Sequence, residues 1–207
     1  MINYKYLVNR NDKINFYKTF KNIFKNSFNQ IYNYETYYWK YLHKVSKNSF
    51  IQIIYYDNNI VGLRGLWKIN EYSELFYQCI DTCILPKYRR MGIFYKSNSE
   101  IKKKFKNLYN YPNSKSLPGY LKSGWKINYN ISIIVKFKIN EKINTHCKID
   151  FLNWRFVNHP YIKYYKYFDG KCYHIFRYKK SFPIYVFSTN ESINLDIIYK
   201  PLFYFKY

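Results

Sequence analysis

The sequence contains no alanine, and glycine and arginine occur only six times each among 207 residues. Acidic residues are also few, with 12 Asp and Glu against 35 Lys and Arg. Asparagine (24), lysine (29) and tyrosine (28) are abundant instead, which is typical of a chain dominated by AT-rich codons. Because lysine accumulates on solvated surfaces under such a bias, the net charge of +23 is weak evidence for a nucleic-acid partner.

Long apolar runs are lacking as well. Lysine or asparagine interrupts each run well short of the ~20 residues that a membrane span needs. The four cysteines form no C-x-x-C pair, and the N-terminus shows no secretory signal. On a regular strand Cys79 and Cys83 would share a face about 13 Å apart, too far to bridge or to share a metal. We therefore expect reduced thiols, no metal site and a soluble cytoplasmic protein.

The scarce residues are concentrated in one part of the chain. Five of the six glycines fall between residues 62 and 124, and two of the six arginines are the adjacent pair Arg89 and Arg90. Glycine permits backbone geometry that other residues avoid, and a guanidinium offers a fixed fork of donors. This placement predicts a functional site between residues 62 and 124.

The segment from Asp81 to Ser97 is the centre of that site. It begins as an apolar, β-branched strand, passes Pro86 and a basic turn, and continues with helical periodicity after Gly92. A strand followed by a helix N-terminus binds anions well, because the first amides of the helix have no intrahelical partner. The adjacent arginines suit a pyrophosphate.

Hydrophobic periodicity predicts the order of the remaining elements. We expect a short strand over residues 4–8, helices over 11–28 and 35–45, strands over 50–56, 60–67 and 75–85, a helix after Gly92, a strand over 108–111, a helical turn over 120–123 and a strand over 125–139. A polar stretch, 140–150, is predicted to be a linker.

Two short patterns resemble one family. The pattern Arg89-x-x-Gly92-x-Phe94 is similar to the acyl-CoA-binding signature Arg/Gln-x-x-Gly-x-Gly/Ala of the GNAT superfamily of N-acetyltransferases, with phenylalanine at the last small position. Downstream, Asn113 and the segment from Tyr120 to Trp125 resemble the family's Tyr-x-x-x-Gly-Phe region. The resemblance implies an α/β (α+β) fold, in which a GNAT-like mixed central sheet is flanked by helices over residues 1–140.

The resemblance also implies roles for individual residues in binding acetyl-CoA, the acyl donor. The backbone of Thr82 and Ile84 would contact the acetyl carbonyl and pantetheine, and Asn113 would bind CoA or hold its loop. Tyr120 would protonate the departing thiolate as a general acid. Backbone amides would hold the pyrophosphate over Arg89, Arg90, Met91, Gly92, Ile93 and Phe94.

A general base is not evident. Family members often carry a glutamate on the strand before the signature, but Gln78 occupies that position. The nearby carboxylates are Glu74 and Asp81. On an alternating strand Glu74 shares a face with Gln78, whereas Asp81 points to the other face. We assign no base.

Residues 150–207 are expected to form a small β-rich C-terminal extension. The sequence of residues 151–157 resembles that of residues 39–42. Each segment precedes a predicted aromatic-rich strand, an acidic turn and another strand, and Asp169 and Gly170 form the second of these turns. This indicates either a truncated repeat of the first half or chance similarity in a biased chain. The extension would pack against the first domain, shape the acceptor site or mediate formation of a homodimer.

Three functions are consistent with these patterns. The leading hypothesis is an N-acetyltransferase that transfers acetyl directly from acetyl-CoA to a primary amine, with no membrane span. The similarity of the sequence to GNAT proteins encoded with bacterial surface-polysaccharide genes implies an amino sugar as acceptor. The alternatives are a basic nucleic-acid-binding module, in which aromatics interleaved with lysines would stack bases, and a catalytically inactive acyl-CoA-binding scaffold.

Overall fold

The structure is a computed structural model that describes residues 1–71, 74–127, 149–170, 172–179, 182–190, 195 and 197–199. The chain forms two compact units, Met1–Asn128 and Tyr129–Tyr207. From residue 128 on, the predicted strand over 125–139 lies outside the described residues, as does most of the predicted linker. In the described part of the chain, no helix is long and apolar enough to cross a bilayer.

The first unit is a five-stranded mixed sheet with helices packed on it, as predicted. Its elements are β1 (Ile2–Leu7), α1 (Arg10–Phe28), α2 (Tyr34–Tyr41), β2 (Phe50–Tyr56), β3 (Asn59–Glu71), β4 (Glu74–Ile84), α3 (Ile93–Lys104), β5 (Leu108–Tyr109) and α4 (Leu117–Lys122). The strands lie in the order β1-β2-β3-β4-β5, and only β4 and β5 are parallel. Helix α2 ends four residues before the predicted end at Val45, and β3 runs four residues past the predicted end at Trp67.

The two faces of this sheet carry different helices. On the α1/α2 face, the apolar stripe of α1 packs against strand residues through side chains such as Phe20, and Tyr37 and Tyr41 are fully buried there. On the α3 face, Ile93 and Ile101 of α3 pack against the other side of the strands. Burial of apolar side chains on both faces is the main favourable contribution to the stability of such a sheet.

A β-bulge interrupts β4 beside the predicted site. Strands β3 and β4 pair in two different registers: Leu63 pairs with Cys83 on one side of the bulge, and Gly65 pairs with Ile80 on the other. Asp81 and Thr82 therefore oppose Arg64 alone, and Asp81 has a positive φ of 48°. One extra residue in a strand reverses the alternation of side chains beyond it.

The bulge corrects two sequence predictions. Asp81 does not point away from the face of Gln78: it accepts a hydrogen bond from Tyr41 of α2, and Gln78 pairs with Trp67, whose ring packs edge-on against Trp39 of α2. Cys79 and Cys83 do not share a face, because Cys79 packs in a cluster on the α3 face and Cys83 in one on the α1/α2 face. Both predictions assumed unbroken alternation along β4.

The edge of β4 that faces β5 is paired over two residues only. Tyr77 pairs with Leu108 and Gln78 with Tyr109. Beyond them, over residues 79–84, the edge of β4 away from β3 has no neighbouring strand within the described ranges. We call this stretch the open edge of β4.

The second unit is the expected small β-rich extension. It comprises α5 (Ile149–Leu152), a π-helical turn (Asn153–Val157), β6 (Tyr165–Phe168), β7 (Cys172–Lys179), β8 (Phe182–Asn190) and β9 (Ile198–Tyr199), with the sheet order β8-β7-β6-β9. The predicted turn lies between β6 and β7, where Cys172 N–H donates to the Asp169 side chain and Gly170 has a φ of 92°. In the first unit, too, a helix (α2) is followed by two strands (β2 and β3). That the second unit is a truncated repeat of the first half stays a prediction.

Candidate functional site

The open edge of β4 presents backbone groups of Ile84. Leu85 N–H donates to Val61 O on the neighbouring strand at 2.8 Å. Because successive residues of an antiparallel strand direct their amide groups to alternate edges, the N–H and C=O of Ile84 point away from β3. The Ile84 carbonyl accepts a hydrogen bond from Arg89 Nε at 3.0 Å, which is consistent with this direction. The Ile84 amide is therefore placed to bond an extended ligand.

The turn before α3 has the geometry of an anion site. Arg90 and Gly92 have φ values of 65° and 73°, whereas Met91 between them does not have a positive φ. Such alternation makes successive N–H groups converge into a concave nest. The first bond of α3 runs from Lys96 N–H to Gly92 O at 3.0 Å, so the preceding amides of the helix, Ile93 and Phe94 among them, lack an intrahelical acceptor.

Gly92 is favoured by its backbone conformation. A Cβ added at this position would meet nothing within 4 Å, so space is not the reason for glycine. A positive φ is disfavoured for residues with a side chain. Arg90, two residues earlier, has a similar φ, and both Arg90 and Met91 are exposed.

Arg89 has a different role from Arg90. Its Nη2 donates to Ser27 O at 2.6 Å, near the end of α1, while its Nε bonds Ile84 O. Its backbone N–H donates to Pro86 O at 3.1 Å. Arg89 therefore ties α1 to the end of β4, and its own amide is already bonded within the turn.

Tyr120 lies on α4 beside the open edge. Its hydroxyl is 3.5 Å from Thr82 Oγ1, and the side chain is only 3% exposed. The ring packs edge-on against Phe94 and Trp125, with centroid distances of 5.1 and 5.0 Å. Burial raises the pKa of Tyr120, and the nearby Arg64 guanidinium opposes that rise. The phenol is thus protonated at neutral pH and can act as a proton donor.

Phe94 occupies space that a glycine leaves open. A Cβ added at Gly119 would come within 2.8 Å of the Phe94 ring. Phenylalanine at the last position of the signature is thus accommodated by the absence of a side chain at residue 119. The ring in turn forms one wall around Tyr120.

Arg64 is the residue that sequence reasoning missed. It is fully buried, and its acceptors are neutral oxygens: Thr82 Oγ1 at 3.2 Å, Ser97 O at 3.3 Å, Ser97 Oγ at 3.2 Å and Asn98 Oδ1 at 2.6 Å. Its guanidinium carbon lies 5.7 Å from the centre of the Phe94 ring. The scarcity of arginine was a usable signal, since Arg64 lies between two of the clustered glycines.

Asn113 holds the loop that leads to α4. Its side-chain oxygen accepts from Ser116 N–H at 2.9 Å, and its carbonyl accepts from Leu117 N–H at 2.9 Å. Of the two roles considered from the sequence, these contacts supply the structural one. They fix the start of the helix that carries Tyr120.

Both oxygens of the nearby Asp81 carboxylate already accept hydrogen bonds. Oδ2 accepts from the hydroxyls of Tyr32 at 2.6 Å and Tyr41 at 2.8 Å, and Oδ1 lies 2.7 Å from Lys40 Nζ. Gln78 remains at the position of the expected base, and the side chain of Glu74 lies outside the described residues. Within the residues that were placed, no group of three Asp, Glu, His or Cys could hold a metal ion.

No protein-family model and no curated protein matches the sequence. The chain is similar to solved structures of an aminoglycoside acetyltransferase from an uncultured soil metagenomic sample (15% identity, 68% of this chain and 97% of that chain, TM-score 0.45) and of glucosamine-6-phosphate N-acetyltransferase from Arabidopsis thaliana (10%, 67% and 99%, 0.47). A possible acetyltransferase from Clostridium difficile 630 is similar at 12% identity, over 66% of this chain and 98% of that chain, with a TM-score of 0.46. Because these TM-scores are below 0.5, similarity to these structures does not assign a function to this chain.

Proposed function

We propose that the first unit is an acetyl-CoA-dependent N-acetyltransferase that transfers the acetyl group directly to a primary amine. One observation carries the proposal: three features meet at the end of β4. They are the open strand edge at Ile84, the nest at Arg90 to Gly92, and the buried phenol of Tyr120 beside Thr82. An extended amide chain, a pyrophosphate and a departing thiolate need these three kinds of group.

The residues present suit acetyl-CoA. The Ile84 N–H would bond an amide of pantetheine, as a neighbouring strand would. The nest and the free amides of α3 would hold the pyrophosphate, and the exposed Arg90 side chain would add a positive charge. Arg89 would act indirectly, because its contacts with Ser27 and Ile84 hold the turn in place.

The chemistry assigned to Tyr120 is general acid catalysis. The acceptor nitrogen attacks the thioester carbonyl, a C–N bond forms and the C–S bond breaks. The sulfur leaves as a thiolate, which takes the phenolic proton of Tyr120, and the nitrogen loses its proton to water. We assign that second proton to water, since Gln78 stands at the base position and three donors bond Asp81.

For the acceptor, we propose an amino sugar first. This proposal is supported by the resemblance of the sequence to GNAT proteins encoded with bacterial surface-polysaccharide genes. The cytoplasmic location and the homodimer expected from the sequence stay predictions.

The first test is calorimetric titration of acetyl-CoA into the full chain, followed by measurement of thiol release with glucosamine and other primary amines. We expect stoichiometric binding and amine-dependent thiol release. Arg90→Glu should weaken acetyl-CoA binding at least tenfold, since it places a negative charge beside the pyrophosphate. Lys18→Glu, an equal charge change on an exposed position of α1, is the matched control. Absence of acetyl-CoA binding would contradict the proposal.

A second candidate is an acyl-CoA-binding scaffold without turnover. The observation that favours it is the missing base: Gln78 replaces the expected glutamate, and the Asp81 carboxylate is committed to Lys40 and two tyrosines. This candidate predicts acetyl-CoA binding that Arg90→Glu weakens, with no thiol release for any amine. Measurable transfer to one amine excludes it.

A further inference from the structure

Arg64 places a positive charge inside the first unit beside the candidate acid. The side chain is fully buried, and a guanidinium remains protonated in proteins. A buried charge is costly unless other groups compensate it. The hydrogen-bond acceptors of Arg64 are the oxygens of Thr82, Ser97 and Asn98, which carry partial charges only, and the guanidinium also acts directly on the nearby Tyr120 phenol. The charge is thus available to a negative group that forms nearby.

Thr82 connects Arg64 to Tyr120. Arg64 Nε donates to Thr82 Oγ1 at 3.2 Å, and the same oxygen lies 3.5 Å from the Tyr120 hydroxyl. A hydroxyl has one proton and two acceptor positions. Because Arg64 occupies an acceptor position, the Thr82 proton is available for the phenol oxygen of Tyr120. In the arrangement in which Thr82 donates to the phenol oxygen, the phenolic proton is left for another acceptor.

The remaining contacts fix both side chains. Asn98 accepts from Arg64 at 2.6 Å and donates to Ser123 Oγ at 3.1 Å, so it joins the guanidinium to the residue that follows α4. The Phe94 ring lies 5.7 Å from the guanidinium carbon and packs edge-on against Tyr120. Arg64 therefore helps to set the distance between α4, which carries Tyr120, and β4.

We propose that Arg64 is a positioning residue that, through Thr82, orients the Tyr120 hydroxyl and stabilises the phenolate left when Tyr120 gives its proton to the thiolate. This inference rests on the acetyl transfer proposed above. During that step the O–H bond of Tyr120 breaks and an S–H bond forms on the leaving group. Negative charge moves from sulfur to the phenol oxygen, towards the Arg64 cation, and water later returns a proton to Tyr120.

A double-mutant cycle tests the link through activity. We expect Arg64→Gln to lower kcat about tenfold, the factor that corresponds to one pKa unit at the acid, while KM for acetyl-CoA changes less than twofold. In a Tyr120→Phe background the same substitution should have no further effect on kcat, since residues that act as a unit are non-additive. Equal losses in both backgrounds would overturn the proposal.

A second measurement is independent of turnover. A fluorinated tyrosine incorporated at position 120 alone has a phenol pKa low enough to be titrated in the folded protein by 19F NMR. We expect Arg64→Gln to raise that pKa by about one unit and Arg64→Lys, which keeps the charge, to change it less. Lys13→Met is the matched control, because Lys13 is also a fully buried cation but bonds Lys47 O and Ser49 O instead.

The outcomes separate the two proposals. If Arg64→Gln and Lys13→Met leave the titration equally unchanged, the role of Arg64 is only structural and the inference is wrong. If the titration shifts as expected but the wild-type chain does not bind acetyl-CoA, the proposed function fails while the link between Arg64 and Tyr120 stands. Should Arg64→Gln not fold, Thr82→Val breaks the same connection and is expected to raise the phenol pKa in the same direction.

Discussion

The Lys40 ammonium lies 2.7 Å from the Asp81 carboxylate, and the two side chains are only 14% and 10% exposed. The hydroxyls of Tyr32 and Tyr41 donate to the other oxygen of Asp81. Asp81 has a positive φ within the β4 bulge, a conformation that the surrounding structure must stabilise. Three donors from the α1/α2 face thus hold the backbone next to Thr82 in its bulged form.

Asp81→Asn should therefore destabilise the first unit. The substitution leaves Lys40 as an unpaired, largely buried cation and replaces a charged acceptor of two phenols by a neutral one. We expect a loss of about 3 kcal/mol in the free energy of unfolding, measured by urea denaturation. Asp57→Asn is the control, since Asp57 also has a positive φ but lies in an exposed turn, and it should cost less than about 1 kcal/mol. Equal effects of the two substitutions would disprove the role of the cluster.

Lys13 should make stability depend on pH. Burial lowers the pKa of Lys13 to about 8, below the unfolded value of about 10.4. Between these values the unfolded chain binds more protons than the folded one, so this group favours folding increasingly as pH rises. The stability of the wild type relative to Lys13→Met should rise by about 1 kcal/mol per pH unit between pH 8 and 10. Lys18→Met, at an exposed position, should show no such trend, and a flat difference for Lys13→Met would refute the prediction.

Arg89 and Arg90 should behave differently although they are adjacent. Arg89→Ala removes hydrogen bonds to Ser27 O and Ile84 O, and we expect a loss of about 2 kcal/mol in the free energy of unfolding. Both side chains are exposed, but that of Arg90 makes no hydrogen bond among the described residues, so Arg90→Ala should leave stability unchanged while weakening acetyl-CoA binding. Thermal unfolding and calorimetry of the two variants compare these effects directly. The reverse pattern would mean that the contacts of Arg89 do not hold the turn.

Gly119 and Phe94 should be coupled. A Cβ at residue 119 would approach the Phe94 ring to 2.8 Å, so Gly119→Ala forces this ring, which packs against Tyr120, to move. We expect a destabilisation of about 2 kcal/mol and reduced acetyl transfer. Adding Phe94→Leu to Gly119→Ala should recover part of the lost stability, because the smaller side chain makes room for the methyl group. Losses that simply add in the double variant would show that the two positions are independent.

The sequence by itself determined the order of elements and predicted where the candidate site lies. Hydrophobic patterning is a local property, and the apolar stripes of α1 and α3 and the short apolar run of β2 were sufficient to predict those elements. The strand, proline, basic turn and glycine before α3 are likewise contiguous in the chain. Their spacing alone indicated an anion site with Gly92 at its centre.

Only the tertiary structure decided which side chains meet at that site. A register shift between β3 and β4 moved Asp81 to the α1/α2 face, and no local pattern reports where two strands slip relative to each other. Arg64 and Ser97 are 33 residues apart, and Arg89 and Ser27 are 62 apart. Such contacts depend on how the elements pack, so the partners of Arg64 and Arg89 could not be predicted from their positions in the chain.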